Sequence, residues 1–240
     1  LLLLLLLLLP AALFVARRRS TPRTASSHRI KAVLAFWFDG DPVELYASRW
    51  FVQSGTAPQH ALDERVRDEF GELLDEAMRG CLSAWASTQR GCLALIVLLD
   101  QFSRHACRGD ADAIRRADVL ALPLAEAMRA RGWLAGLSAA ELVFALMPLR
   151  HSATEERLEG VLMATGARFK EADDAANLLR RFRKHTELRL AHLRGDGDPD
   201  DILERPDEEH RLPQDGALDV ELAKTIGAFV ERLERAGALS

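Results

Sequence analysis

The chain has 240 residues, of which 48% are hydrophobic and 28% are charged, and its formal net charge is -4 at pH 7. This composition is typical of a globular protein that buries a sizeable core, and it excludes a disordered or fibrous chain. The slight excess of acid also argues against a nucleic-acid partner, because proteins that bind nucleic acids present a basic surface to the phosphates.

The first predicted element is a leader, residues 1–29. Residues 1–16 are uncharged and mostly apolar, but they are fewer than the ~20 needed to span a bilayer, so they resemble the apolar part of a secretory signal. Residues 17–29 are rich in Arg, Ser and Thr and contain no acid, as in organellar transit peptides. The pattern predicts a two-part leader for a plastid or another organelle. A short membrane anchor through residues 1–16 and a low-complexity tract without a targeting role are the alternatives.

The next elements are two helices of different character. Apolar residues recur at spacings of three and four over residues 62–77, with charged residues such as Asp63 between them, which predicts a surface helix that Gly80 ends. Residues 92–99 are apolar all round and resemble a buried strand or a buried helix. Polar residues continue this run at i,i+4 spacing, and we therefore predict a buried central helix over about residues 89–106.

Further helices are predicted downstream. One covers about residues 110–131, where Pro123 is expected to kink or break it and Gly132 to stop it. The next begins at a capping box formed by Ser138 and Glu141, and Pro148 together with the polar residues that follow it is expected to close it.

The last third of the chain contains two more predicted helices before a change in composition. Residues 154–157 open a helix that Gly166 breaks, and another is predicted over about residues 171–193. Residues 195–216 are rich in Asp, Glu and Pro and predict an acidic, flexible connector. The final segment, residues 217–240, contains an amphipathic helix that we expect to dock on the core.

No segment of useful length alternates apolar and polar residues as a strand does. The sequence therefore predicts an all-α fold, an antiparallel array of helices in a single domain whose core covers residues 30–194.

Two segments carry a resemblance to a known family. The first is Ala94–Gly109, with the core DQFSRH, followed by the Ala-rich helix that contains Asp118 and Ala121; the second is Leu146–Ser152, LMPLRHS. With the aromatic residues that precede them, they resemble the bacterial and plastid-lineage domain of unknown function 924 family over roughly residues 30–192. The resemblance implies a tetratricopeptide-like helical fold and no assigned chemistry. After His185 this sequence departs from the aromatic and basic continuation usual in that family.

The polar end of the predicted central helix is the strongest candidate site. It contains Asp100, Gln101, Arg104, His105 and Arg108. Arg104 and Arg108 share a helix face and are expected to hold a carboxylate or phosphate of a ligand. In the structural interpretation, which is favoured, Asp100 and Arg104 form an intrahelical ion pair and Arg108 caps the last carbonyls.

Other candidate residues lie outside that helix. His151 is interpreted as a general base or as a hydrogen-bonded lock between helices, and Ser152 as the N-cap of the following helix. Trp37 and Trp85 are expected to be core aromatics, with an aromatic-lined groove for a peptide or apolar ligand as the alternative.

Two functions follow from these residues. The favoured one is a binding or scaffold module with a groove for a peptide or small anionic ligand. The alternative is a small hydrolase-like or metal-assisted enzyme that uses Asp100, Arg104 and His151. The three cysteines form no C-x-x-C pair and no glycine-rich phosphate loop occurs, so the sequence predicts no cofactor and no metal.

Overall fold

The computed structural model describes residues 22–152, 154–166, 168, 177–196 and 220–239. Every regular element in these ranges is helical, which confirms the prediction of an all-α fold. The predicted acidic connector, from its third residue onward, lies outside the described residues, as does most of the predicted leader. None of the described helices combines the length and apolar character needed to cross a bilayer.

The described helices up to residue 166 follow one another with short connections, whereas residues 195–219 separate the last two. In chain order they are α1 Pro22–Phe38, α2 Pro42–Leu45 with a π-helical continuation Tyr46–Trp50, α3 Ala57–Met78, a 3₁₀ helix Ser83–Ser87, α4 Gln89–Ile96, a π-helical segment Val97–Phe102, α5 Ser103–Ala106, α6 Ala111–Ala130, α7 Ala139–His151, α8 Glu155–Gly166, α9 Leu178–Arg194 and α10 Val220–Arg235.

The predicted central helix is confirmed, and it is formed by α4, the π-helical segment and α5 without a break. The Thr88 hydroxyl caps it by accepting a hydrogen bond of 3.1 Å from the Gly91 amide. Residues 92–99 are completely buried, because α1, α3, α6 and α7 all pack around this helix. The π-helical segment was not predicted. Its wider turn matters because single π turns inside α-helices occur frequently at functional sites.

Two prolines lie inside helices and do not end them at the proline. Pro123 lies inside α6 without breaking it. Pro148 also lies inside a helix, because α7 continues to His151 and the Ser152 amide bonds to the Pro148 carbonyl at 3.1 Å, so the helix ends at the polar residues after the proline and not at Pro148 itself. A proline removes one hydrogen bond from a helix, but α7 is buried along residues 142–149 and packing holds it in place. The capping box of Ser138 and Glu141 is confirmed.

The ends of the described chain both pack on the core. Helix α1 begins at Pro22, inside the predicted leader, and Arg29 forms an ion pair of 2.6 Å with Glu76 of α3. The helix begins there because residues 22–29 extend a helix already anchored by its buried C-terminal half.

At the other end, α10 packs against the 3₁₀ helix and α6, with Phe229 and Leu233 buried. Gly80, at φ +70°, permits this close approach, because a Cβ at that position would lie 2.8 Å from the Arg232 guanidinium.

Candidate functional site

Four polar side chains meet at the polar end of the central helix, two from that helix and one each from α6 and α7. We call them the His151 cluster: Asp100 from the π-helical segment, Arg104 from α5, Asp118 from α6 and His151 from α7. The Asp100 and Asp118 side chains are buried, whereas 16% of the Arg104 and His151 side chains is exposed. The cluster therefore has a buried acidic floor and a partly accessible edge.

The Arg104 guanidinium binds Asp118 with two hydrogen bonds. Nη1 donates to Oδ1 at 2.6 Å and Nη2 to Oδ2 at 3.0 Å, the parallel geometry that gives arginine–carboxylate pairs their strength. Nη1 also donates to the Asp100 backbone carbonyl, while its distance to Asp100 Oδ1 is 3.8 Å. The predicted intrahelical Asp100–Arg104 pair is thus present, but the closer partner of Arg104 is Asp118 on another helix.

His151 is held by Asp100. The distance from His151 Nδ1 to Asp100 Oδ1 is 2.9 Å, and Arg104 Nη2 lies 3.0 Å from the same nitrogen. Because a carboxylate only accepts and a guanidinium only donates, Nδ1 cannot serve both groups at once. A proton on Nδ1 gives the buried Asp100 carboxylate its donor, so we assign it there, which leaves Nε2 as an acceptor.

No hydrogen bond joins Nε2 of His151 to another residue in the described part of the chain. The exposed part of the imidazole therefore offers an oriented acceptor to a ligand. This is the role that a buried carboxylate gives to the histidine in an aspartate–histidine pair.

Burial and neighbouring charges set the ionisation of the cluster. Burial opposes ionisation of Asp100, but the charges of His151 and Arg104 outweigh it and bring its pKa to about 2. Burial raises the pKa of Asp118, and although Arg104 opposes this, the Asp100 carboxylate adds to it. Burial also lowers the pKa of His151 in spite of Asp100. With both carboxylates ionised and His151 neutral, the cluster has one negative charge in excess.

A second polar group, the Asp63 cluster, lies between α3 and α5. Asp63 Oδ1 is 2.7 Å from His105 Nδ1, and Asp63 Oδ2 accepts a hydrogen bond of 2.5 Å from Arg108 Nε. Gln59 also donates to Asp63. Burial opposes the ionisation of Asp63, but the hydrogen bonds from Arg108, His105 and Gln59 together place its pKa below the ordinary value.

The structure divides the residues predicted from the central helix between these two clusters. Asp100 and Arg104 join His151, together with Gln101, whose amide donates to Asp100 Oδ2 at 2.5 Å. His105 and Arg108 point to Asp63 instead. Arg108 therefore does not cap the end of the helix, because a buried carboxylate of α3 is a stronger partner than an exposed carbonyl.

The remaining predicted residues have mainly structural positions. Ser152 Oγ donates to the Leu149 carbonyl at 2.8 Å, so it ends α7 and does not cap the next helix as predicted. Trp85 is buried in the 3₁₀ helix, beneath the Arg29 guanidinium, and makes no hydrogen bond or ring contact to either cluster within the described ranges. Trp37 is completely buried against Phe102, His105 and Phe144.

Sequence reasoning missed two carboxylates. Asp63 was expected on the solvent face of α3, and Asp118 was noted only within the family resemblance, yet their residues are 4% exposed each. Both occupy helical positions on the apolar stripe: Asp63 follows Leu62 and precedes Val66, and Asp118 follows Ala117 and precedes Ala121. A charged residue at the same helical spacing as the buried apolar residues could have indicated these positions. Such a residue is buried with them and needs a polar partner.

The His151 cluster also has the donor set of a metal site. One ligand atom each from Asp100, Asp118 and His151 lies within 4.8 Å of the other two. The Arg104 guanidinium, however, binds both oxygens of Asp118 and contacts His151 Nδ1. A metal ion would have to displace this cation, which already neutralises one of the two carboxylates.

The fold and the site together define an all-α protein with a buried carboxylate–guanidinium–imidazole cluster. Residues 33–193 match the family described as "Bacterial protein of unknown function (DUF924)", and the chain belongs to this family. A protein of unknown function from Agrobacterium tumefaciens has a similar solved structure, with 24% sequence identity, a TM-score of 0.52, and coverage of 72% of this chain and 94% of that one. This likeness supports the fold alone. No curated protein matches the chain.

Proposed function

We propose that this chain is a helical binding module whose ligand site is the accessible edge of the His151 cluster. The observation that carries the proposal is the orientation of His151: Asp100 holds Nδ1, and the exposed part of the ring leaves Nε2 without a partner among the described residues. A side chain that a neighbour holds in one orientation, and that keeps one polar atom free, is typical of a binding site. Its geometry is set before the ligand binds.

The charges of the cluster favour a ligand that donates a hydrogen bond or carries a positive charge. Arg104 and Arg108 bind internal carboxylates of two different helices, so the two guanidinium groups do not form the shared anion site considered from the sequence. The excess negative charge of the cluster also opposes an anion. The small exposed area fits a hydroxyl, amide or ammonium group, either of a small molecule or at the end of a peptide side chain.

NMR of the histidine ring nitrogens tests this proposal in the intact chain. The probes are methylammonium, acetamide and inorganic phosphate, each titrated into protein labelled with ¹⁵N. We expect methylammonium or acetamide to shift Nε2 of His151 saturably, and phosphate to leave it unchanged. The exposed His60 serves as the control for non-specific effects. Saturable binding of phosphate at His151, or no response to any probe, would contradict the proposal.

Acid–base catalysis is the second candidate, and the Asp100–His151 contact of 2.9 Å favours it. A neutral His151 held by a carboxylate is able to accept a proton from water or a substrate hydroxyl, and Asp100 would stabilise the imidazolium that forms. Hydrolysis of p-nitrophenyl acetate by the full chain is a direct test. The enzyme hypothesis predicts a rate that falls in both Asp100→Asn and His151→Phe but not in Arg115→Met, which changes an exposed ion pair.

A further inference from the structure

Helix α10 is joined to the rest of the chain differently from the other helices. Residues 195–219 separate it from α9, and it lies beyond residues 33–193, which match the family. It packs against the 3₁₀ helix and α6, both of which belong to the matched residues. The contact therefore joins a C-terminal helix to elements that precede it by many residues in the chain.

The apolar residues of α10 have the spacing of a helix that lies in a groove. Phe229 and Leu233 are buried, and Ile226 and Val230 are partly buried. Counted from Ile226, these residues lie at positions i, i+3, i+4 and i+7, which is the anchor pattern of an amphipathic helix bound in a groove. Ala228, by contrast, is exposed.

Gly80, which follows α3, lies directly beneath α10. Its backbone has φ +70°, and a Cβ at this position would lie 3.3 Å from the ring of Phe229 and 2.8 Å from the guanidinium of Arg232. The missing side chain lets the helix approach the end of α3 closely. The surface is thus shaped to accept a helix at this point.

Two guanidinium groups fix the position of α10 along this surface. Arg232 of α10 donates to the carbonyl of Arg79, the C-cap of α3. Arg131, the C-cap of α6, donates to the carbonyl of Gly237, just after α10. The last carbonyls of a helix have no partner within the helix and attract cations, so both contacts are favourable. They also define the direction and register of the helix that lies here.

We infer that the surface beneath α10 is a groove for an amphipathic helix, and that α10 is the exchangeable occupant that this chain supplies to itself. The ligand is a helix with large apolar residues at positions i, i+3 and i+7 and an arginine at i+6. In α10 these are Ile226, Phe229, Leu233 and Arg232. A tethered occupant competes with a free helix only through the effective concentration that its connection sets. The inference is independent of the function proposed for His151.

Exchange of α10 in the full chain tests this inference. A recognition sequence for a site-specific protease is inserted within residues 200–212, and the folded chain is cut there. A fluorescent peptide of residues 217–240 is then added, and its binding is measured by anisotropy. We expect the peptide to bind the cut chain saturably. It should bind the uncut chain at least about tenfold more weakly, because the tethered α10 competes with it there.

Three unlabelled competitor peptides define the ligand class. The peptide with Phe229→Asp is expected not to displace the labelled one. Its matched control carries Ala228→Asp, a change at an exposed position, and should displace the labelled peptide as well as the unmodified sequence does. In the third peptide, every position of α10 except the three apolar anchors and the arginine is alanine or lysine. We expect this peptide to compete too.

Several results would overturn the inference. If the cut chain no longer unfolds cooperatively in urea, α10 is an inseparable part of the core. If the labelled peptide does not enter the cut chain, or binds the cut and uncut chains equally, α10 does not occupy an exchangeable site. Equal competition by the Phe229→Asp and Ala228→Asp peptides would show that the apolar face is not recognised. Failure of the alanine-rich peptide alone would overturn the ligand class, because recognition would then need more than the four anchors.

Discussion

At the scale of the residue, the balance of charge in the His151 cluster depends on Arg104. Its guanidinium binds Asp118 through both oxygens and lies 3.8 Å from Asp100, so one cation serves two buried carboxylates. The sequence identified Arg104 and Asp100 because they lie at i,i+4 positions. It did not identify Asp118 as the closer partner, because that contact forms only when α6 packs beside α5.

Replacement of Arg104 by Met is therefore expected to destabilise the protein by about 3–5 kcal/mol, because it leaves two buried carboxylates facing each other without a cation. Adding Asp118→Asn to this variant should restore part of the loss by removing the repulsion. Urea unfolding measures both effects. Arg115→Met is the matched control, since its exposed ion pair with Asp112 contributes about 0–1 kcal/mol. Small effects that simply add would show that the cluster is not a coupled unit.

Two largely buried histidines, His105 and His151, predict a loss of stability in mild acid. Burial lowers the pKa of His151 and His105 in the folded chain, whereas an unfolded histidine titrates near 6.5. Below that pH the unfolded chain binds more protons than the folded chain, so the free energy of unfolding falls as the pH drops from about 7 to 5.

Each such histidine contributes a slope of at most about 1.4 kcal/mol per pH unit. Urea unfolding at several pH values should show a smaller slope for His151→Gln than for the wild type. His60→Gln replaces an exposed histidine and should keep the wild-type slope. An unchanged slope in His151→Gln would mean that this ring does not carry the pH dependence.

At the scale of the element, the sequence predicted helix ends and buried apolar runs, whereas it did not predict two features of helix interiors. The capping box at Ser138 and the buried run of residues 92–99 depend on neighbours within one or two turns, and both were predicted. The π-helical segment over residues 97–102 and the continuation of α7 beyond Pro148 depend on packing from other helices. Local patterns do not contain that information.

The capping box gives a prediction for α7, the helix that carries His151. Ser138→Ala removes the hydroxyl that accepts from the Glu141 amide at 3.2 Å, and we expect a loss of about 1 kcal/mol. Urea unfolding measures the loss, and faster amide exchange at Glu141 localises it to the start of α7. Ser87→Ala is a suitable control, because that hydroxyl only donates to the Ala84 carbonyl at an exposed turn. Equal losses in the two variants would argue against the capping role.

At the scale of the whole molecule, the core is organised around one buried helix. Helix α10 also contributes to this core, although it lies beyond the residues that match the family. Phe229 and Leu233 of α10 belong to the same apolar core as the central helix. Arg232 also donates to the Arg79 carbonyl at the end of α3. Through these contacts α10 packs against the apolar core.

Phe229→Asp is expected to release α10 while the rest of the fold persists, because it replaces a buried apolar ring of the core by a carboxylate. Hydrogen exchange should show protection lost across residues 223–235 and retained in residues 92–99. Ala228→Asp is the control on the exposed face of the same helix. If α10 in Phe229→Asp stays as protected as in the control, the helix is held by contacts other than its apolar face.

The sequence by itself determined the helical class, the central buried helix and the segments that contribute the polar residues. It could do so because helix periodicity, capping and buried apolar runs are local, and each is visible within a few turns of chain. Only the tertiary structure decided the partner of each charge. His105 and Arg104 are adjacent in sequence, yet they point to carboxylates on different helices, α3 and α6. Side chains on neighbouring helices meet according to how the helices pack, and buried charges then pair with whichever opposite charge that packing brings within hydrogen-bonding distance.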